Sequence, residues 1–457
     1  MDVPANVFRQ YDIRGVVGEE LTPLLAHAIG RAVATVARAA VERQPRLAVG
    51  RDNRPSGDQL ARAVRDGIAA AGGVAVDVGM LPTPALYLSL HELEVDGGIQ
   101  VTGSHNPPGF NGFKMTVAGE TLHGDAIQGI RRLIEQDQTT DGEGTLSADQ
   151  SVLGRYRQAI VARNGPLVKK VKVVVDCGNG VASVVAESVL AAIGAEVIPL
   201  FCESDGTFPN HHPDPTVPDN LVDLQEAVRA HGAELGIAFD GDGDRIGAVD
   251  EHGRIVYGDQ LLTLFGRDLV DRMGPGHPVI FDVKCSDVLP RDLEAAGLRP
   301  VMGKTGHSLI KARMSETDAP LAGEMSGHMF FGGDYYGFDD ALFAAARLLD
   351  FLARREETIG TLLARLPARR STPELRVDCP DDRKFAIVDK AAAWFGDRYE
   401  VLTIDGVRIA FADGWGLIRA SNTQPVLVLR FEAETDTALA AYRGEVEGWL
   451  RGQGIEI

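Results

Sequence analysis

Positive charge is scarce in this sequence. Against 65 Asp and Glu there are 46 Lys and Arg in 457 residues, a formal net charge of −19. Phosphate backbones are bound through basic side chains, so the chain is a poor nucleic-acid binder, and any local group of Arg and Lys becomes informative. Cysteine is also sparse: Cys177, Cys202, Cys285 and Cys379 stand apart with no CxxC pair. That spacing argues against a structural zinc site and suits a reducing cytoplasm, with the four read as ordinary half-buried thiols. No apolar run reaches the ~18–20 residues that span a bilayer. The opening MDVPANVFRQYDIRG has no signal-peptide core. A cytoplasmic chain with no membrane partner is expected. GxSxG, a signature of nucleophilic serines in hydrolases, is missing as well.

What is present is an ordinary folded composition, 44% hydrophobic and 24% charged. Three stretches repeat one pattern. RLAVGRDNRPS (46–56) is followed by a helical run and AAAGGVAVDVG (69–79); VKVVVDCGNG (171–180) by AAIGAEVIPL (191–200); PVIFDVKCS (278–286) by EAAGLRPVMG (294–303). Each reads strand, helix, glycine turn, strand. The runs are continuous and β-branched, as in parallel strands buried on both faces, and the glycines suit helix C′ positions. The even spacing predicts tandem related α/β domains. The last part differs: YEVLTIDGVRIAFADGWGLIRASNTQPVLVLRFEAE (399–434) alternates strands and turns and is followed by an amphipathic helix (435–452). This predicts an α+β domain with an antiparallel sheet. The proline-bearing segment 364–375 reads as a linker.

Five segments carry candidate chemistry. TGSHNPPGFNGFK (102–114) follows a strand and presents Ser104 in a turn stiffened by Pro107 and Pro108. Neighbours on an extended chain point to opposite faces, so His105 is expected to be a poor base for Ser104. GIAFDGDGDRIGAVD (236–250) places Asp240, Asp242 and Asp244 at alternate positions after a strand. Three carboxylates converge only if something neutralises them, and a hard divalent cation does so. The spacing also fits the first positions of an EF-hand, with Glu251 at the twelfth. But Arg245 stands where glycine is required and the flanks are strand-like, so a calcium loop is rejected. Three Asp ligands leave open positions, as Mg²⁺ prefers when a phosphate completes its shell. GEMSGH (323–328) alternates Glu324, Ser326 and His328, which could share one face and suit sugar hydroxyls. RASNTQPVLVLR (419–430) gathers Arg419, Ser421, Asn422, Thr423 and Arg430 around a turn, a cradle for a phosphate dianion. RQYDIRG (9–15) brings Tyr11 and Arg14.

Together, TGSHNPPGFNGFK, DGDGDR, GEMSGH and RASNTQPVLVLR, in this order and spacing, resemble the α-D-phosphohexomutase family, most closely its bacterial phosphomannomutase/phosphoglucomutase group. The resemblance spans essentially the whole chain. It implies three related α/β domains with mixed sheets and a C-terminal α+β domain around a central cleft, one loop from each. The corresponding division is 1–150 with the phosphoserine loop, 151–254 with the metal loop, 255–367 with the sugar loop and 368–457 with the phosphate loop. By the match, Ser104 is the phosphoserine and, with Asp240, Asp242 and Asp244, binds Mg²⁺. Glu324, Ser326 and His328 hold sugar hydroxyls; Arg419, Ser421, Asn422, Thr423 and Arg430 bind the non-reacting phosphate. Lys284, His307 and Tyr11 match further substrate contacts. Arg14, His105, Lys114 and Arg245 match residues around the reacting phosphoryl group.

The implied activity is reversible transfer between hexose 1-phosphate and hexose 6-phosphate. It proceeds through phosphoserine and a hexose 1,6-bisphosphate that reorients in place; Lys114, Arg14 or His328 is the general base. The family also implies a monomer acting on small phosphosugars. Met325 resembles the dual mannose/glucose group, whereas phosphoglucosamine mutases usually carry Gln there and Ala in place of Gly103. The alternatives are a phosphoglucosamine mutase, an inactive phosphosugar-binding paralogue, or a phosphatase that releases phosphate from Ser104.

Overall fold

The computed structural model describes residues 3–422 and 424–457, so the expectation for Thr423 lies outside the described residues. Four sheets follow one another along the chain. The first contains β1 (Ile13–Val16), β2 (Arg46–Arg51), β3 (Val74–Met80), β4 (Gly97–Val101) and β5 (Phe110–Val117) in the order β1-β5-β4-β2-β3. Here β2 is parallel to β3 and β4, and β5 turns back antiparallel to β4. The second repeats this with β6 (Lys172–Asp176), β7 (Glu196–Leu200), β8 (Leu235–Phe239) and β9 (Ile246–Asp250). The third repeats it again with β10 (Pro278–Asp282), β11 (Arg299–Gly303), β12 (Leu321–Gly323) and β13 (Met329–Phe331). The reason is visible in the strands. Val173, Val174 and Val175 are fully buried, so both faces of the strand need apolar side chains and parallel packing under helices supplies them.

This shared design fixes the site. In each unit a parallel strand reverses into the antiparallel strand that follows it at the same topological point: residues 102–109, 240–245 and 324–328. Each reversal lies beyond the carboxyl end of a strand that runs parallel to its neighbour, the edge where α/β sheets bind ligands. The fourth sheet is antiparallel, with β14 (Leu375–Asp378), β15 (Val407–Ala410), β16 (Gly414–Ala420) and β17 (Val426–Ala433). Its turn at 421–425 carries the fourth loop. One apolar core runs from β2 and β3 through the second and third units. The fourth unit has its own core and meets the third over the small cluster Val283, Trp415 and Leu417.

Two expectations need correction. The segment 364–375 is not only a linker, because Arg370–Ser371 pairs with β17 and Thr372 N donates to Phe431 O. Its apolar content is low, but sheet edges need backbone partners rather than apolar side chains. And one helix, Pro23–Val41, is long and apolar enough to cross a membrane by length and composition, with a hydropathy of 1.3. Its alanines raise that average across His27, Arg31 and Arg38, which interrupt any uniform run. Its buried face, from Leu25 to Ala37, packs into the core of the first unit.

Candidate active site

Ser104 sits at φ +47°, a left-handed conformation unusual for serine, on a loop that is held from behind. Its hydroxyl lies 2.9 Å from Asp240 Oδ2 and 3.2 Å from His105 Nδ1. The expectation that His105 would turn away therefore fails. The loop is a turn, not a strand, so adjacent side chains are not forced apart. Burial, then the Arg245 and Arg14 guanidiniums, hold the His105 imidazole well below its ordinary pKa, so it is kept neutral and disfavoured as a proton acceptor. Arg14, on β1 beside Gly112, donates to Asn106 Oδ1 at 2.9 Å.

Asp240 organises its own reversal: Oδ1 accepts from the backbone N–H of Gly243, Asp244 and Arg245 at 3.0–3.1 Å. Asp240, Asp242 and Asp244 are all fully buried, and one oxygen from each lies within 4.8 Å of the others. Glu251 binds Thr358 and Gly360 instead, far from an EF-hand role. Lys114 projects from β5 onto Asp242 Oδ2 at 2.7 Å and also bonds Asp244. Burial disfavours the Lys114 charge, but these two carboxylates outweigh it and raise its pKa well above normal. Burial likewise works against Asp242, yet Lys114 and the Thr83 hydroxyl hold its carboxyl below the usual range. Asp240 goes the other way, pushed well up by burial and then by Asp242 and Asp244. One ammonium is thus too little charge for three buried carboxylates. Asp242 Oδ1 and Asp244 Oδ1 are buried without a hydrogen-bond partner among the described residues. Such a donor set of hard oxygens, completed by Ser104 Oγ, fits a divalent cation. The close approach of the first two loops demands glycine at 241, where a Cβ would lie 2.4 Å from Ser104 O.

The second and third loops are stitched together. Ile246 N donates to Gly327 O at 3.0 Å, and Arg245 Nε to His328 Nε2 at 2.9 Å. The other His328 nitrogen lies 2.9 Å from Asp339 Oδ2. Glu324 accepts from Gly306 N and from Ser326 Oγ at 2.6 and 2.9 Å. The 324–328 segment is a tight turn rather than the extended run expected, yet Glu324, Ser326 and His328 all line the same cavity. His307 lines it too, its imidazole held well below its ordinary pKa by burial and then Lys311.

In the fourth unit, Arg419 Nε donates to Asp405 at 2.6 Å while its buried Nη2 has no partner among the described residues. Ser421 and Asn422 line the cavity beside it. Asn422 donates to the Tyr11 hydroxyl at 2.7 Å, which itself donates to Thr305 O at 2.8 Å. Tyr11 thereby joins the first, third and fourth units, and burial raises its pKa to about 12. Arg430 is not brought to the cavity. It shares a strand face with the cavity-lining Val428 but is taken up by Lys284 O and lies 3.7 Å from Asp259. Arg430 thereby holds the loop that carries Lys284. Lys284 does line the cavity and pairs with Glu374 at 3.1 Å.

Four residues of the site were not expected. Glu374 and Arg376 line the cavity from the supposed linker and β14, Asp339 steadies His328, and Arg54 braces the serine loop. Glu374 also yields a pH test. Lys284 holds its carboxyl down from 4.5 to about 2, against burial. The folded value lies below the unfolded one, so this stabilisation is complete above about pH 4.5 and is lost as pH falls towards 2. Urea midpoints should fall more steeply over that window for the unaltered chain than for Glu374→Gln; parallel profiles would refute the assignment.

The cavity measures 520 Å³, within the range of small-molecule sites, and all four units contribute to its walls. The chain matches the phosphoglucomutase/phosphomannomutase models for α/β/α domains I, II and III over residues 5–141, 155–253 and 257–369, and the model for the C-terminal domain over 374–448. It is 50% identical over 440 residues to a phosphomannomutase/phosphoglucomutase of Pseudomonas aeruginosa, covering 96% of this chain and 94% of that protein. A phosphoglucomutase of Neisseria meningitidis serogroup A is 44% identical, covering 96% and 95%. A crystal structure of a phosphoglucomutase/phosphomannomutase family protein from Burkholderia thailandensis superposes with a TM-score of 0.91 at 44% identity, covering 99% and 98%.

Proposed function

Because the chain belongs to the phosphoglucomutase/phosphomannomutase family, we propose that it moves a phosphoryl group between C1 and C6 of mannose and glucose phosphates by way of phosphorylated Ser104. The reaction class, reversible intramolecular transfer on a hexose phosphate, follows from that membership. The observation that carries the residue roles is the meeting of Ser104 Oγ with buried Asp240 in a cavity whose fourth-unit wall holds Arg419 Nη2, which has no partner among the described residues.

Arg419, Ser421 and Asn422 take the phosphate that does not react, with Lys284 beside them. Glu324, Ser326 and His328 receive sugar hydroxyls and so fix which carbon faces Ser104. Arg14 and Arg245 lie against the reacting phosphoryl group. Of the three candidates for taking the sugar hydroxyl proton, Lys114 is held charged by Asp242 and Asp244, which leaves Arg14 and His328. His105 Nδ1, 3.2 Å from Ser104 Oγ, orients the serine hydroxyl as a neutral hydrogen-bond partner. Asp240, Asp242, Asp244 and Ser104 would hold Mg²⁺, which supplies positive charge opposite the transferring phosphoryl oxygens. A division at residues 150, 254 and 367 gives each unit one of these loops. Hexose phosphates are charged and retained inside cells, which supports a cytoplasmic location.

The test supplies purified chain with Mg²⁺, a trace of glucose 1,6-bisphosphate and, separately, the 1-phosphates of mannose, glucose and glucosamine. The first two should be converted to 6-phosphates with little free phosphate. Activity should vanish with a chelator and return with added Mg²⁺. Abundant free phosphate would point to a phosphatase, preference for glucosamine 1-phosphate to a different mutase, and no turnover to a binding protein.

A further inference from the structure

The four cysteines were expected to be independent thiols, and two of them are not. Cys177 and Cys202 lie just beyond the carboxyl ends of the paired strands β6 and β7, where Asp176 stands opposite Leu200. Both are free, Cys177 buried and Cys202 partly exposed. Their sulfurs are 3.2 Å apart. Adjacent strands run about 4.8 Å apart, inside the Cα separation that a disulfide tolerates, and a bond needs the sulfurs to close to about 2.05 Å. The two thiols also differ. The sulfurs share one hydrogen bond, donated by Cys202 to Cys177. Cys202 is the partly exposed member, so it is the thiol that a peroxide reaches first.

The pair stands at the edge that holds the metal loop, since β8, which runs into Asp240, is the other neighbour of β6. Cys177 opens a short turn in which Gly180 N donates to Cys177 O at 2.7 Å. The next residue, Val181, donates to Gly241 O at 3.1 Å. Gly241 packs against Ser104 O. Movement of Cys177 is thus transmitted through one turn to the backbone between Asp240 and Asp242. Phe201, next to Cys202, accepts from Asn179 N at 2.9 Å, so both ends of the bond would act on the same turn.

We propose that Cys177 and Cys202 form a reversible thiol–disulfide pair oxidised by hydroperoxides, and that the bond slows phosphoryl transfer by shifting the Asp240–Asp244 loop. The Cys202 thiolate attacks the peroxide; its sulfur gains an S–O bond as the O–O bond breaks and hydroxide leaves. Cys177 sulfur then attacks Cys202 sulfur; the S–S bond forms, the S–O bond breaks, and the oxygen departs as water with the Cys177 proton. Two thiols and one peroxide yield one disulfide and two waters. In a reducing compartment such a bond is transient, as a sensing disulfide should be.

The rate effect rests on the mutase reading above, whereas the bond itself is read independently by mass. The full chain is treated with hydrogen peroxide, alkylated, digested and analysed. A peptide pair joined through Cys177 and Cys202 and lighter by two hydrogens is expected, with Cys285 and Cys379 still alkylated. The rate of glucose 1-phosphate conversion should fall several-fold and recover with dithiothreitol. Cys202→Ser and Cys177→Ala should keep the untreated rate and lose the peroxide response. Oxygen adducts on Cys202 without a link would overturn the pair. A link with unchanged rate, or a peroxide response that persists in both variants, would overturn the coupling to the metal loop.

Discussion

Ser104→Ala lowers turnover of glucose 1-phosphate by at least about 10³-fold, because it removes the atom to which the phosphoryl group is attached. No nearby hydroxyl can replace it. Ser326 Oγ is engaged by Glu324, and Thr83 Oγ1 is spent on Asp242. Ser104 Oγ is the hydroxyl set against Asp240 and His105 on a residue only 2% exposed. Its left-handed backbone places that oxygen at the cost of local strain. The loop does not depend on the hydroxyl to stay in place. Ser104 O and Ser104 N are bound by Arg54 and Thr102 through the backbone. The alanine variant should therefore unfold at nearly the same urea concentration and still bind glucose 6-phosphate through the fourth-unit loop. Incubation with glucose 1,6-bisphosphate should add a phosphate mass to the unaltered chain and none to the variant. A variant that keeps a tenth of the turnover would end the phosphoserine assignment.

How far the site could be read from sequence depends on what each residue answers to. The three repeated units were legible because buried parallel strands impose continuous apolar runs, and VKVVVD and PVIFD both show them. The aspartate triplet was legible because three alternating carboxylates at a strand end have few uses other than a cation. His105 was misjudged because period-two alternation was carried past the end of the strand: β4 ends at Val101, and Ser104 already lies in a turn. Arg430 was misjudged for another reason. It shares a strand face with the cavity-lining Val428, but one step further along β17 its guanidinium is taken up by Lys284 O. Glu374 and Arg376 were missed because their neighbours read as linker. Their place in the site is set by pairing with β17, a contact more than 40 residues distant in sequence. The approach of Cys177 and Cys202 was hidden likewise, since it follows from the register of β6 on β7 and not from spacing.

Arg54 is the position where substitution away from the reacting atoms should cost most. It is 1% exposed, and its guanidinium donates to four carbonyls of the serine loop: Ser104, Asn106, Pro107 and Phe110. Asp52 pairs with it at 3.1 Å and also accepts from Thr102 Oγ1 and Gly103 N. Burial pulls against both charges, lowering the Arg54 pKa and raising that of Asp52, so each depends on the other. The guanidinium also lies 5.0 Å from the Phe208 ring of the second unit, which fixes the serine loop relative to the metal loop's own unit.

Arg54→Met leaves Asp52 buried without its cation and four carbonyls without donors. The expected loss is about 3–5 kcal/mol of stability, seen in urea unfolding. Turnover should fall about 10²-fold while KM changes little, because the substrate phosphate and sugar hydroxyls are held by other loops and only Ser104 is misplaced. Arg54→Lys separates positioning from mere stability. Lysine restores the charge opposite Asp52 but cannot span four carbonyls with a planar fork, so stability recovers in part and turnover does not. Full turnover in the lysine variant would show that charge alone is needed. Gly103→Ala offers an independent approach to the same contact. A Cβ there would lie 2.6 Å from Arg54 Cζ, so the alanine must push the guanidinium off its carbonyls. Its kinetic signature should match that of Arg54→Met, with turnover lowered and KM retained.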